Sequence, residues 1–220
     1  METKLLIFDL WDTIVHVQDP HPVRLIWEIM GKTNMDLYTF SLEFERALMS
    51  RPFGSMKEAF GELLEEFCVE PTDEIILQIS DVWTKTMNRL FIPEQIPAVL
   101  EELGKKFKIG LLTNTDIFSY TYAKTKFELS KYFDHMMSSY EIGIIKPDKK
   151  AFYLMLEKFK VEPEECCMIG DNLFNDIIPA KKLSMKTIYI DIKNRMPGEP
   201  HADLTVKTME QLIEALNNIK

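Results

Sequence analysis

Residues 5–13 read Leu5-Leu6-Ile7-Phe8-Asp9-Leu10-Trp11-Asp12-Thr13. The stretch opens with four consecutive apolar residues and turns acidic at Asp9. An unbroken apolar run of this length is typical of a parallel strand that is buried on both faces. We therefore predict a parallel strand near the start of the chain, with Asp9 at its carboxyl end.

The same pattern recurs along the chain, and the later predicted strands are 109–112, 166–169, 187–190 and 204–206. Between them, apolar residues recur at intervals of three and four within 96–107, 152–159 and 209–216, which predicts helices. Alternation of this kind indicates an α/β fold, a Rossmann-like doubly wound parallel sheet. Polar residues follow three of the predicted strands. Because ligands bind such sheets at the carboxyl ends of the strands, we expect one shared site there.

Residues 16–92 show a different pattern, because helical periodicity continues there without a strand-like run. Three apolar stripes have this spacing, and their members are Leu37, Phe40, Phe44 and Leu48, then Phe60, Leu63, Leu64 and Phe67, then Ile76, Ile79, Trp83 and Leu90. The third stripe follows Thr72, a residue type that caps helix N-termini. We predict an all-helical domain at 16–92, inserted into a core of residues 1–15 and 93–220.

The charge balance argues against two classes of partner. The chain has 26 Lys and Arg residues against 35 Asp and Glu, a formal net charge of −9. It therefore lacks the positive character of general nucleic-acid binders and of proteins that bind anionic membranes. The first apolar run is too short for a signal peptide or a membrane span, and three cysteines suggest no disulfide framework. We expect a cytoplasmic protein with no nucleic-acid or membrane partner.

Four groups of polar residues carry the chemistry. In chain order they are Asp9 to Thr13, Thr113-Asn114, Lys146-Pro147-Asp148, and Gly170-Asp171-Asn172 with Asp176. In this order, and on these elements, they resemble the motifs of the haloacid dehalogenase-like (HAD) hydrolase superfamily. The resemblance spans nearly the whole chain, because the helical insertion lies where that family places its C1-type cap. It implies a cap over 16–92 that closes over the site and selects the substrate.

The resemblance also implies a nucleophile and a metal site. Asp9 would attack phosphorus and form an aspartyl-phosphate. Mg²⁺ would be held by Asp9, by Asp171 and by the backbone carbonyl of Trp11. Lys146 would supply a second positive centre that contacts both the nucleophile and the phosphate.

The remaining motif residues would support the phosphate and the lysine. Thr113 through its hydroxyl and Asn114 through its backbone N–H would hold phosphate oxygens. Asp176 would orient Lys146 and the metal waters, and Asn172 would assist. The expected function is that of a Mg²⁺-dependent phosphatase of small phosphorylated metabolites.

The first motif departs from the family pattern at Trp11. Most phosphatases of the family have a second aspartate there, which protonates the leaving oxygen and later activates water. Indole cannot do this, and loss of a general acid typically costs about 10²–10⁴ in rate. Asp12 is the next residue along, but its side chain need not point at the leaving group. We therefore expect aryl and acyl phosphates to react better than sugar phosphates.

Two alternatives stay open. The 2-haloacid dehalogenases of the family have an aromatic residue at the position of Trp11, form an ester without a metal, and use an arginine of the cap for the substrate carboxylate. The candidates for that arginine are Arg24, Arg46 and Arg51. Against this reading, the chain keeps Asp171, which would repel a carboxylate. The other alternative is a weakly active protein that binds phosphate or Mg²⁺.

The exposed face of the insertion would also suit a homodimer.

Overall fold

A computed structural model describes residues 2–18, 20–31, 34–191 and 202–218, so the outer ends of the predicted core, at residues 1 and 219–220, lie outside it. The described residues form strands β1 (Leu5–Phe8), β2 (His16–Val17), β3 (Leu90–Phe91), β4 (Lys108–Thr113), β5 (His135–Ser138), β6 (Cys166–Gly170), β7 (Lys186–Ile190) and β8 (Leu204–Val206). Five of these strands were predicted, and each lies within one residue of its predicted ends.

The described helices are α1 (Pro22–Ile29), α2 (Leu37–Met49), α3 (Met56–Glu66), α4 (Asp73–Asn88), α5 (Ile96–Gly104), α6 (Ile117–Lys126), α7 (Ser139–Ile142), α8 (Lys149–Phe159), α9 (Ile178–Lys182) and α10 (Glu210–Asn218). As predicted, α4 is capped by Thr72, whose hydroxyl accepts a hydrogen bond from the Ile75 N–H. The helix predicted at 96–107 ends earlier, at Gly104. Among the described helices, none is both long and apolar enough to cross a membrane.

The main sheet has the strand order β5-β4-β1-β6-β7-β8, and every neighbouring pair in it is parallel. The predicted α/β fold with a doubly wound parallel sheet is therefore confirmed. Strand β1 lies in the middle, between β4 and β6. This position brings the carboxyl ends of three strands together, as a site at the edge of the sheet requires.

Strand β1 holds the sheet between two apolar layers. Leu6 and Phe8 belong to the core on one face, and Leu5 and Ile7 belong to the core on the other. All four side chains are fully buried. Burial of one such side chain stabilises a fold by about 1.5–3 kcal/mol, so β1 is fixed firmly beneath Asp9.

The prediction of an uninterrupted helical insertion is wrong at its two ends. Strands β2 and β3 pair antiparallel there and form a two-stranded ribbon where the chain leaves and re-enters the core. Leu90 belongs to β3 rather than to the third helical stripe. The two segments that connect the insertion with the core run side by side, and hydrogen bonds between β2 and β3 satisfy their backbone N–H and C=O groups. Helices α1 to α4 lie between β2 and β3 in the sequence. The domain boundaries at 15/16 and 92/93 stay a prediction.

Candidate active site

Polar side chains follow the three central strands of the sheet. Asp9 follows β1, and its N–H donates to the Ile169 carbonyl of β6, which extends the β1–β6 pairing by one residue. Asn114 follows β4, and Asp171 follows β6. The predicted meeting of strand-end residues at one edge is therefore what the fold produces.

An ion triad lies at the centre of this edge. The Lys146 ammonium donates to Asp9 Oδ1 at 2.8 Å and to Asp176 Oδ1 at 2.6 Å. All three side chains are buried; Lys146 is 2% exposed and Asp176 is fully buried. Because removal of Lys146 would leave two buried carboxylates without a compensating charge, both carboxylates depend on it.

Burial dominates the proton equilibria of the triad. It raises the pKa of Asp9 to about 6; the Lys146 charge opposes this increase and the Asp176 charge adds to it. Burial also raises the pKa of Asp176, again against Lys146. For Lys146, burial disfavours the ammonium, but the two carboxylates outweigh burial and raise its pKa. The pKa values therefore favour the charged form of Lys146, whereas Asp9 ionises less readily than an exposed aspartate.

The side chain of Asn114 holds Lys146 in place. Its Oδ1 accepts from the Lys146 backbone N–H at 2.8 Å, and its Nδ2 donates to the Lys146 carbonyl at 2.9 Å. Both backbone groups of Lys146 are thus fixed to the end of β4. Sequence reasoning assigned Asn114 a backbone contact with phosphate and did not foresee this clamp.

Asp176 is positioned by a π-helical turn over Leu173–Ile177. Asn172 caps this turn, since its Oδ1 accepts from two backbone N–H groups in it. The Asn172 N–H in turn donates to Asp176 Oδ2 at 3.2 Å. Gly170 leaves room for the carboxylate, because a Cβ there would collide with Asp176 Oδ2.

Three carboxylates could hold a cation. One oxygen each of Asp9, Asp171 and Asp176 lies within 4.8 Å of the others. Oxygen-only ligands of this charge are those that Mg²⁺ prefers. Each oxygen of Asp176 already accepts a hydrogen bond, from Lys146 or from Asn172. Both oxygens of Asp176 are thus engaged, which disfavours Asp176 as a direct ligand.

These residues surround a cavity of about 180 Å³, here called the acidic cavity. Its lining comprises Asp9, Trp11, Asp12, His21, Glu45, Asn114, Lys146, Asp171, Asn172, Asn175 and Asp176. Seven of the eight predicted site residues are among them. The eighth, Thr113, is buried and does not line the cavity, and its hydroxyl donates to the Asn114 carbonyl at 3.4 Å.

A second cavity of about 160 Å³, here called the apolar chamber, adjoins the first. Its walls come mainly from Val15, Val17, Pro22, Val23, Met49, Trp83, Met87 and Leu90. The indole Nε1–H of Trp83 is buried and has no hydrogen-bond acceptor among the described residues. Because a buried donor without an acceptor is costly, a ligand oxygen would be favoured there.

Both cavities share a short stretch of wall, formed by Trp11, Asp12, His21, Glu45 and Asn114. Sequence reasoning missed Glu45 and His21, which belong to the helical insertion. Glu45 directly follows Phe44 of the apolar stripe of α2, and no local pattern marks it. Its Oε2 lies 3.4 Å from Asn114 Nδ2.

The three arginines proposed for a carboxylate substrate lie elsewhere. Arg24 pairs with Glu28, Arg46 with Glu43 and Arg51 with Glu62. None of the three lines the acidic cavity or the apolar chamber.

Comparison with known proteins gives the family. The family model for haloacid dehalogenase-like hydrolases matches residues 3–183. The chain therefore belongs to the haloacid dehalogenase-like hydrolases, as the sequence motifs predicted. It is 26% identical over 225 residues to a glyceraldehyde 3-phosphate phosphatase from Pyrococcus furiosus, with 97% of this chain and 92% of that protein covered.

Solved structures show the same fold. A 2-haloacid dehalogenase from Pseudomonas syringae pv. Tomato DC3000 has a TM-score of 0.67 and 22% identity, with 98% of this chain and 99% of that chain covered. A HAD family enzyme from Bacteroides thetaiotaomicron, solved with magnesium and inorganic phosphate, has a TM-score of 0.65 and 21% identity, with 90% and 96% covered. At these identities the likeness concerns the fold alone.

Gly170→Ala tests the close contact that positions Asp176. We expect a loss of about 3 kcal/mol in the free energy of unfolding, because the new methyl group displaces a buried carboxylate from its lysine. Chemical denaturation followed by circular dichroism measures this loss. Gly104→Ala is the matched control, since its Cβ would meet Ile109 Cδ1 at an ordinary 3.7 Å. Equal stability of the two variants would contradict the assigned role of Gly170.

Proposed function

We propose that this hydrolase is a Mg²⁺-dependent phosphatase of small phosphorylated metabolites that acts through an aspartyl-phosphate at Asp9. The observation that carries the proposal is the charge distribution of the acidic cavity. Carboxylates of Asp9, Asp171 and Asp176 cluster together, and the buried ammonium of Lys146 contacts two of them, Asp9 and Asp176. The proposed nucleophile, Asp9, therefore lies beside a cation.

The chain's own residues support nucleophilic attack by Asp9. Its carboxylate would form a bond to phosphorus while the bond to the leaving oxygen breaks. Lys146 lies within hydrogen-bond distance of Asp9, where it would stabilise charge on the transferring phosphoryl group. Asn114 holds the lysine backbone, and Thr113 and the Asn114 N–H are proposed to contact phosphate oxygens.

The electrostatics of the cavity explain why a metal is proposed. A phosphate dianion would enter a cavity with more carboxylates than cations, and like charges repel strongly at such distances. Mg²⁺, held by Asp9, Asp171 and the Trp11 carbonyl, would supply positive charge to the phosphate and keep the nucleophile ionised. Asp176, with Asn172 as its support, is proposed to orient Lys146 and the metal waters.

The substrate is proposed to be small. A closed helical insertion over 16–92 would act as a cap that excludes water and selects the leaving group. The apolar chamber beside the acidic cavity suits a compact aromatic or aliphatic group better than a sugar. The phosphatase from Pyrococcus furiosus, similar over nearly the whole chain, supports phosphate ester hydrolysis as the reaction class.

A dehalogenase reading rests on Trp11, since halide leaves without protonation. The charges of the cavity oppose it, because a haloacid carboxylate would face the carboxylates of Asp171 and Asp176. The arginines considered for such a substrate are also turned to other partners. A weakly active phosphate-binding protein is the third reading, and turnover separates it from the other two.

A substrate panel with Mg²⁺ and with a chelator tests the proposal. We expect Mg²⁺-dependent phosphate release from p-nitrophenyl phosphate and acetyl phosphate, and slower release from glucose 6-phosphate, because its polar hexose suits the apolar chamber poorly. Asp9→Asn should lower the rate by at least about 10³-fold, because the nucleophile is lost. Asp81→Asn, an exposed aspartate of α4 paired with Lys85, is the control and should keep full activity.

Other outcomes of the same panel identify the alternatives. Metal-independent chloride release from 2-chloropropionate would establish a dehalogenase instead. Phosphate binding without turnover of any ester would establish the binding protein. Faster turnover of sugar phosphates than of aryl phosphates would overturn the proposed leaving-group preference.

Thermal unfolding tests the metal site without catalysis. At a Mg²⁺ concentration of about 100 times the dissociation constant, wild type should gain about 2.7 kcal/mol of stability, because the ion binds only the folded state. Asp171→Asn should lose most of this gain, and Asp81→Asn should keep it. An equal gain in wild type and Asp171→Asn would place the cation elsewhere.

We also propose a cytoplasmic location, since phosphorylated metabolites are available there. No nucleic-acid or membrane partner is proposed. The homodimer suggested by the insertion's exposed face stays a prediction.

A further inference from the structure

Glu45 connects the helical insertion with the core site. It lies on α2, yet its Oε2 is 3.4 Å from the Nδ2 of Asn114, the residue that clamps Lys146. It lines both the acidic cavity and the apolar chamber. A carboxyl group of the insertion therefore stands where the two cavities meet.

The position of the ester oxygen follows from the arrangement of the cavities. With phosphate in the acidic cavity and the organic group in the apolar chamber, as the proposed function requires, the oxygen that joins them would lie at the shared wall. Of the residues in that wall, Trp11 and Asn114 cannot transfer a proton at neutral pH. Asp12, His21 and Glu45 are the titratable ones.

Glu45 suits proton donation better than the other two. Asp12 Oδ1 lies 4.0 Å from His16 Nδ1, on strand β2 of the two-stranded ribbon. His21 is exposed to solvent. Burial raises the pKa of Glu45, partly opposed by Asn114 and Lys146, which favours the protonated form that a proton donor needs.

We propose that Glu45 is the general acid and base that the first motif lacks at Trp11. This inference rests on the proposed phosphatase function. It assigns the proton transfer to the helical insertion, so that the acid meets the substrate only when insertion and core are packed together.

The proposed steps balance as follows. Asp9 forms a bond to phosphorus, the bond from phosphorus to the leaving oxygen breaks, and that oxygen takes the proton of Glu45 and leaves as an alcohol. Water then gives a proton to the Glu45 carboxylate and its oxygen attacks phosphorus. The bond to Asp9 breaks, which releases phosphate and restores the Asp9 carboxylate and the protonated Glu45.

The test compares two substrates of similar shape that differ in their need for an acid. p-Nitrophenyl phosphate has a leaving group that departs unprotonated, whereas benzyl phosphate releases an alkoxide unless it is protonated. In Glu45→Gln we expect kcat/KM for benzyl phosphate to fall by about 10²–10⁴-fold, and that for p-nitrophenyl phosphate by less than about tenfold. The amide keeps a partner for Asn114, so the clamp on Lys146 is preserved.

Glu43→Gln is the matched control on the same helix, since Glu43 pairs with Arg46 and lines neither cavity. It should leave both substrates unaffected. An equal loss for both substrates in Glu45→Gln would mean a positioning role and would overturn the inference. So would a selective loss of benzyl phosphate in Asp12→Asn instead. If wild type hydrolysed neither ester, the proposed function itself would fail, and the inference with it.

Discussion

The buried ammonium of Lys146 is the constraint on which the rest of the site depends. It holds two carboxylates that follow different strands, Asp9 after β1 and Asp176 in the turn after β6. Without it, two negative charges would lie together in a medium of low polarity, at a cost of several kcal/mol. The sheet order brings the ends of β1 and β6 together. The Asn114 side chain fixes the backbone of Lys146, and the lack of a side chain at Gly170 leaves room for Asp176.

The contact of Lys146 with Asp9 and Asp176 also determines the charge of the site. Lys146 neutralises one charge of the cluster, and the excess of carboxylates remains attractive to a divalent cation. Asp9 is thereby held by a hydrogen bond and partly desolvated, which suits the proposed nucleophile. Because Trp11 cannot donate a proton, a proton donor beside this cluster must come from another part of the chain. The insertion offers one in Glu45, which would explain how the fold tolerates tryptophan at position 11.

The ends of the strands could be predicted from the sequence because the residues change from apolar to polar within one position. The run 5–8 is wholly apolar and Asp9 is not, and the same abrupt change occurs before Thr113 and after Gly170. Where a buried parallel strand ends at the edge of the sheet, polar side chains can face a ligand site. The family resemblance then ordered these residues into one site. Thr113 is the exception, since it does not line the acidic cavity.

The missed features depend on contacts between distant parts of the chain. The two-residue strands β2 and β3 are too short to show a period, and they exist only because the two connecting segments pair. Edge strand β5 is polar at both ends and mostly half-buried. Glu45 stands in an ordinary amphipathic helix, and its meaning comes from Asn114, which is 69 positions away in the chain.

Rapid acid quench during turnover of p-nitrophenyl phosphate, followed by mass spectrometry of the peptide that contains residue 9, tests the central claim most directly. The account predicts a peptide heavier by one phosphoryl group, attached at Asp9, in wild type and no such species in Asp9→Asn. A phosphoryl group on another residue, or steady turnover with residue 9 unmodified at every quench time, would contradict it.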